Sequence, residues 1–258
     1  MTNFVSLISG SSGNSTFISD GKTHILTDCG TSGSGLKALL AQIDAAPESI
    51  SALLITHEHS DHVKGAGVIA RRYSIPIYAT RGTYENMCCG KIDEDLVHFI
   101  EPDTDFEIGG IGIMPFSIPH DAAEPVGFSY FVGNDKFSIA TDMGHMNDYI
   151  LSHILGSKKI ILESNHDVEM LQMGSYPYPL KRRILSDIGH LSNENAAKTA
   201  MELVKNGAQS IALGHLSNEN NRPELAMLET YNRLTDGGVK VGSDTALTVA
   251  KRYEPTII

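Results

Sequence analysis

Residues 56–65 read THEHSDHVKG, directly after the apolar run ALLI at 52–55. Within positions 56–62 stand three histidines, one aspartate and one glutamate. Such side chains lose free energy when buried without partners, yet they crowd the end of what reads as a core strand. Neutral imidazole nitrogens and carboxylate oxygens are the donors that hold zinc, iron or manganese. The turn after a strand is where α/β proteins build their sites. A turn, unlike a regular strand or helix, can aim His57, His59, Asp61 and His62 at one volume. With SALLIT read as a buried strand and VKGAGVIARRY as a helix, the stretch sets an α/β fold around a metal-ligand loop.

Working outward, FVSLIS and STFIS flank the tight turn GSSGN as a hairpin, and THILTD follows as a third strand. SGLKALLAQI has helical apolar spacing, and IPIYAT is another short strand. After a connector around CCGKIDEDL the pattern restarts with DFEIGGIGIMPFSI, GFSYFVGNDKFSIATD and the helix NDYILSHIL. Strand KKIILES comes next, then helices at NENAAKTAMELVKNG and RPELAMLETYNRL with strand SIALG between them. Hairpins followed by α/β units thus occur twice. This predicts one domain over 1–258 built from two similar halves, about 1–105 and 106–258, as a four-layer αββα sandwich.

The chain has 258 residues, 41% hydrophobic and 20% charged, enough for a sizeable core. The start MTNFVSLISGSSGNS lacks a basic stretch followed by an apolar one, so no secretory signal is expected. No apolar run approaches the roughly 20 residues of a membrane span, and no membrane partner is expected. Cys29 and the adjacent pair Cys88–Cys89 read as free thiols, which suits a cytoplasmic protein. A net charge of −11 argues against a protein that coats nucleic acid. It leaves room for an enzyme whose bound cations attract phosphate. The basic clusters Arg71–Arg72, Lys158–Lys159 and Lys181–Arg182–Arg183 read as solvated faces.

One loop cannot complete a dinuclear site, and further candidates share a location at strand ends. His120 follows IMPFSIP, Asp142 follows KFSIAT and His215 follows QSIALG. Two cations need a bridging carboxylate, and Asp142 is the candidate, because the helix NDYILSHIL that it could otherwise cap starts some residues later. The heptapeptide GHLSNEN occurs identically at 189–195 and 214–220, each time with a histidine just before a Ser/Asn-rich helix start. Either a good cap is reused or two histidines reach one cleft. His166 is ambiguous, while His24, His98, His145 and His153 read as surface or satisfied core residues.

THEHSDH, with TDCG upstream and PHD, ATD and LGH downstream at strand ends, resembles the metallo-β-lactamase superfamily over nearly the whole chain. The opening SGSSGNST, the segment ESNHD at 163–167 and GHLSNENAA resemble more closely its YycJ/WalJ group. That group comprises exonuclease-like metallohydrolases related to ribonuclease Z and the β-CASP nucleases. The resemblance implies the metallo-β-lactamase fold and two divalent ions, zinc, manganese or iron. His57, His59 and His120 would hold one ion; Asp61, His62 and His215 would hold the other, with Asp142 bridging. Asp28, at the end of THILTD, would orient a ligand histidine. His190 competes with His215 as the last ligand; the buried-strand run before His215 favours the latter. Glu163 and His190 would then form the pair that gives a proton to the leaving oxygen, and Asp61 would also orient the nucleophile.

The implied mechanism is attack by a hydroxide shared between the ions, generated because two cations lower the pKa of water toward neutrality. The implied activity is a phosphodiesterase on nucleic acid, trimming from a 5′ end. The same metal pair would serve a small ester, thioester or lactone, which the acidic balance suits better. A non-catalytic or redox module ranks last, since the full histidine set is kept. The β-CASP insertion between Asp142 and His215 is absent. Oligomeric state is not legible.

Overall fold

The computed structural model describes residues 3–258. Its strands run in two seven-stranded sheets, ordered β14-β1-β2-β3-β4-β5-β6 and β13-β12-β11-β10-β9-β8-β7. In chain order the strands are β1 (Asn3–Ile8), β2 (Ser15–Ser19), β3 (His24–Thr27), β4 (Ala52–Leu54), β5 (Ile77–Ala79), β6 (Val97–Phe99), β7 (Phe106–Ile108), β8 (Ile111–Ser117), β9 (Val126–Val132), β10 (Asp135–Ala140), β11 (Lys159–Glu163), β12 (Ser210–Gly214), β13 (Ala246–Val249) and β14 (Thr256–Ile257). The helices are α1 (Gly33–Ala41), α2 (Ser60–Val63), α3 (Ala66–Tyr73), α4 (Arg81–Asn86), α5 (Asp148–Ile154), α6 (Val168–Met173), α7 (Tyr178–Ile184), α8 (Asn193–Lys205) and α9 (Pro223–Asp236). Among the described residues no helix is long and apolar enough to cross a membrane.

The described chain divides into two compact units. One holds 3–117, 122–134 and 251–257; the other holds 118–121, 135–250 and 258. In the first unit β1, β2 and β3 are antiparallel, and β3, β4, β5 and β6 are parallel. β4 is buried along its length, as a parallel strand covered on both faces should be. Leu36, Leu40, Leu53, Ile69 and Ile77 are fully buried in its core. Each such side chain contributes about 1.5–3 kcal/mol of burial free energy. In the second unit β10, β11, β12 and β13 are all parallel, so their C-terminal ends share one edge. That edge is where Asp142, Glu163 and His215 emerge.

Two local expectations are corrected. His57 and His59 lie in irregular backbone after β4, and Asp61 and His62 sit on the one-turn helix α2, with His59 at its N-cap position. The two GHLSNEN copies also diverge. In both, the serine hydroxyl accepts from the amide three residues on, Ser192 from Asn195 and Ser217 from Asn220. Only the first copy starts a helix, α8, capped by Ser192. In the second, α9 starts at Pro223, because proline forces Arg222 into extended backbone (φ −135°, ψ 140°). The short helices α4, α6 and α7 and the strands β6, β13 and β14 carry too little apolar periodicity to be marked beforehand.

Candidate metal centre

In the first unit the ligand loop hangs on Asp28. This residue is 4% exposed and holds a left-handed φ of 60°. Its carboxylate accepts from the Thr56 amide at 2.9 Å, from the Thr56 hydroxyl at 2.8 Å and from His62 Nδ1 at 2.8 Å. With Nδ1–H donated to a carboxylate, the lone pair of His62 is on Nε2. The Thr56 hydroxyl gives its one proton to Asp28, so at 3.0 Å it accepts from His57 Nδ1, which puts the His57 lone pair on Nε2 as well. One buried carboxylate and one hydroxyl thereby set two tautomers. The rings of His59 and His62 lie 4.6 and 4.1 Å from that of His57, centre to centre. Asp61 Oδ2 stands 3.6 Å from His62 Nε2. The Asn14 side-chain amide reaches both, at 3.4 Å from Asp61 Oδ2 and 3.0 Å from His62 Nε2.

In the second unit Glu163 plays the part of Asp28. It is fully buried as the last residue of β11. Oε1 accepts from His190 Nδ1 at 2.8 Å and from His215 Nδ1 at 2.9 Å. Oε2 accepts from the Met143 and Leu191 amides at 2.9 and 3.1 Å. Burial alone would raise the carboxyl pKa, but the His190 charge and the two imidazole hydrogen bonds outweigh it and hold the group well below the usual carboxylate range. Asp142, also left-handed (φ 60°), lies with Oδ1 3.3 Å from His215 Nδ1, 3.9 Å from His190 Nδ1 and 4.0 Å from His120 Nε2. His120 anchors Nδ1 on the Gly189 carbonyl at 3.2 Å. Burial pushes its pKa down, against the pull of Asp142. One ligand atom each from Asp142, Glu163, His190 and His215 falls within 4.8 Å of the others.

Exposure separates the histidines of this unit. The side chain of His190 is 16% exposed while that of Glu163 is closed off. His215 is 2% exposed. His166 is 1% exposed, has no hydrogen-bond partner on either ring nitrogen, and is pushed down to about 4 by burial. It is neutral and internal. His24, His145 and His153 are satisfied elsewhere, by Ser19, the Asp187 carbonyl and the Tyr149 carbonyl.

The sequence reading missed several supports. Thr56 and Asn14 are two; Asp121, paired with Arg183 and 3.5 Å from His120 Nε2, is a third. A buried network is a fourth: the Ser164 hydroxyl donates to Asn193, and the Asn221 amide donates to Asn193 and to the Ser164 and Asn165 carbonyls. Thr56 and Asn14 lay inside quoted motifs, THEHSDH and SGSSGNST, but a hydroxyl or an amide there carries no signal of its own.

The donors suit a divalent cation. They are imidazole and carboxylate, and Nδ1 of His62, His120 and His215 donates to an oxygen acceptor, so the lone pair of each ring is on Nε2. No thiolate takes part: burial pushes the Cys29 thiol up to about 12, and its sulfur donates to the Thr31 carbonyl.

The family model described as "Beta-lactamase superfamily domain" matches residues 23–215. The exodeoxyribonuclease WalJ of Streptococcus pneumoniae is 41% identical over 242 residues, covering 92% of this chain and 90% of the relative. The exodeoxyribonuclease YycJ of Bacillus anthracis is 40% identical over 241 residues, covering 93% and 91%. Among solved structures, the metallo-β-lactamase fold protein YhfI of Bacillus subtilis aligns with a TM-score of 0.73 over the full length of both chains at 17% identity, a likeness of fold. The two mixed sheets and their helices are accordingly those of the αββα sandwich expected from the sequence. The chain therefore belongs to the metallo-β-lactamase superfamily and, within it, to the enzyme family of the exodeoxyribonucleases WalJ and YycJ.

Proposed function

We propose that the protein is a metal-dependent hydrolase that removes nucleotides from a 5′ end of DNA. The observation that carries the reading is His190, the partly exposed imidazole of the second unit, held by a buried carboxylate beside a His/Asp cluster. Relatives at 40–41% identity that are exodeoxyribonucleases support the choice of DNA. In this reading His57, His59 and His120 would hold one divalent ion and Asp61, His62 and His215 a second, with Asp142 as a ligand common to both. When bound, such ions supply Lewis acidity toward phosphate oxygens and a water of lowered pKa.

The chain's own groups do the rest. Asp61 accepts a hydrogen bond from the attacking water and orients it. His190 carries a proton on Nε2 and gives it to the departing sugar oxygen. Glu163 keeps His190 turned that way by accepting from Nδ1, and its negative charge stabilises the imidazolium before transfer. The ions are zinc, manganese or iron, and three free thiols suit a reducing cytoplasm. We read the whole chain, 1–258, as one domain of two similar halves.

The test compares protein reconstituted with zinc, manganese or iron on 5′-labelled single- and double-stranded DNA and RNA, beside thioesters and lactones. Stepwise loss of nucleotides from DNA, reduced about 10³-fold by Asp142→Ala, is expected, since removing a bridging carboxylate forfeits several kcal/mol of charge stabilisation. Clean thioester or lactone turnover with DNA left intact would overturn the reading.

A further inference from the structure

A cavity of about 340 Å³ opens in the first unit between the 10–14 turn, one face of α1 and the segment at 252–253. That volume lies within the range of small-ligand pockets and has room for a single nucleotide. Its lining includes the apolar Ile8, Ala38 and Leu39 and two cations, Lys64 and Arg252. Tyr253, a residue 74% exposed, completes the lining. In a chain of net charge −11, two cations beside apolar lining suit a ligand with a flat apolar part and an anionic part.

The cavity wall and the ligand loop are one packed piece. Gly13 and Gly30 line the cavity. Between them in space, the Asn14 amide donates to the Asp61 carbonyl at 2.8 Å, and the Gly30 amide donates to the Asn14 carbonyl at 2.8 Å. A Cβ on Gly30 would overlap the Asp61 carbonyl oxygen, so no side chain separates the two. Lys64 follows directly on α2, two residues after His62.

We propose that this cavity is a nucleotide subsite: the base and sugar lie on the α1 face and against Tyr253, and the phosphate meets Lys64 and Arg252. The subsite deepens the nuclease reading and rests on it. It explains how an acidic protein holds one nucleotide of a strand beside the reacting phosphate without a basic surface. It also gives a use to the opening SGSSGN stretch, whose turn forms the wall.

The test has a binding arm and a turnover arm. Binding of dTMP and of a 5′-phosphorylated, 3′-labelled single-stranded deoxyoligonucleotide is measured in EDTA across a salt series. Lys64→Ala/Arg252→Ala is expected to weaken oligonucleotide binding about tenfold and to flatten the log–log salt slope by about 0.7 for each cation removed. Tyr253→Ala should weaken it by about fivefold or more, because the base can no longer stack there. Ala38→Trp, which narrows the cavity and keeps both cations, should weaken dTMP binding as well. With metal, KM for DNA should rise in each variant while turnover of bis-p-nitrophenyl phosphate stays at the parent's level. Variants that bind and process DNA like the parent would overturn the subsite and leave the nuclease standing. A parent that binds the oligonucleotide through these residues but cleaves no DNA would overturn the nuclease reading and leave the subsite. A parent that neither binds nor cleaves would remove both.

Discussion

In the first unit Asp28 accepts from one amide, one hydroxyl and one imidazole; in the second, Glu163 accepts from two amides and two imidazoles. Each carboxylate is buried, and each decides which nitrogen of its histidines faces outward. The histidines they serve are spread very differently along the chain. Asp28 supports a ligand loop confined to seven residues, 56–62. Glu163 holds groups delivered from distant places in the chain, His215 after β12 and His190 ahead of α8, and accepts from the Met143 amide, next to Asp142 after β10. A contiguous loop is positioned by its own short helix and a single carboxylate; distributed groups depend also on the register of parallel strands.

The sharpest way to break the contrast is to move the loop as a body. Gly30→Ala places a Cβ in the Asp61 carbonyl and should cost about 3 kcal/mol in urea unfolding, with metal affinity falling alongside. Gly133→Ala meets nothing within 4 Å and strains only its positive φ, so about 1 kcal/mol is expected and metal affinity should be unchanged. Equal effects from the two would mean that close approach of Gly30 to Asp61 does not hold the loop.

The two anchors come next. Asp28→Asn and Glu163→Gln should each weaken metal binding about 10–100-fold in chelator competition. At saturating metal, turnover should return to near the parent's level in Asp28→Asn. It should stay low in Glu163→Gln, because His190 also loses its orientation. Full recovery of both would show that Glu163 serves the ligand set alone.

A third prediction concerns the buried His166. Its folded pKa is about 4 against an ordinary 6.5, so between those values the unfolded chain binds the extra proton. Stability is therefore present above pH 6.5 and is lost as pH falls toward 4, by about 1.4 kcal/mol per pH unit. His166→Gln should flatten the fall in urea midpoint between pH 6.5 and 5; an unchanged slope would assign the acid sensitivity to other groups. The smallest effect separates the repeats. Ser192→Ala removes the cap of α8 and should cost about 1 kcal/mol, whereas Ser217→Ala, with no helix behind it, should cost less.

What was legible in the sequence follows the same contrast. The loop at 56–62 could be read because its ligands are adjacent and follow a buried strand. His120, Asp142 and His215 could be read only as strand ends, and their distances to one another are tertiary facts. Glu163 was visible as a strand-end acid, but its hold on His215 as well as His190 was not, since 52 residues separate the pair. The Ser192/Ser217 divergence turned on Pro223, six residues beyond the second serine, where the identical heptapeptides had already ended. Hydroxyls and amides such as Thr56 and Asn14 are common in every loop, and only the fold singles them out.

Three of the residues in these sites, Asp28, Asp142 and His215, hold φ between 54° and 60°, a region that costs an L-residue roughly 1–2 kcal/mol. Glycine would relieve the cost at each position and remove the chemistry with it. A population selected only for resistance to heat would therefore drift toward glycine at 28, 142 and 215 and become inactive as it hardened, while one selected for turnover would keep the tension.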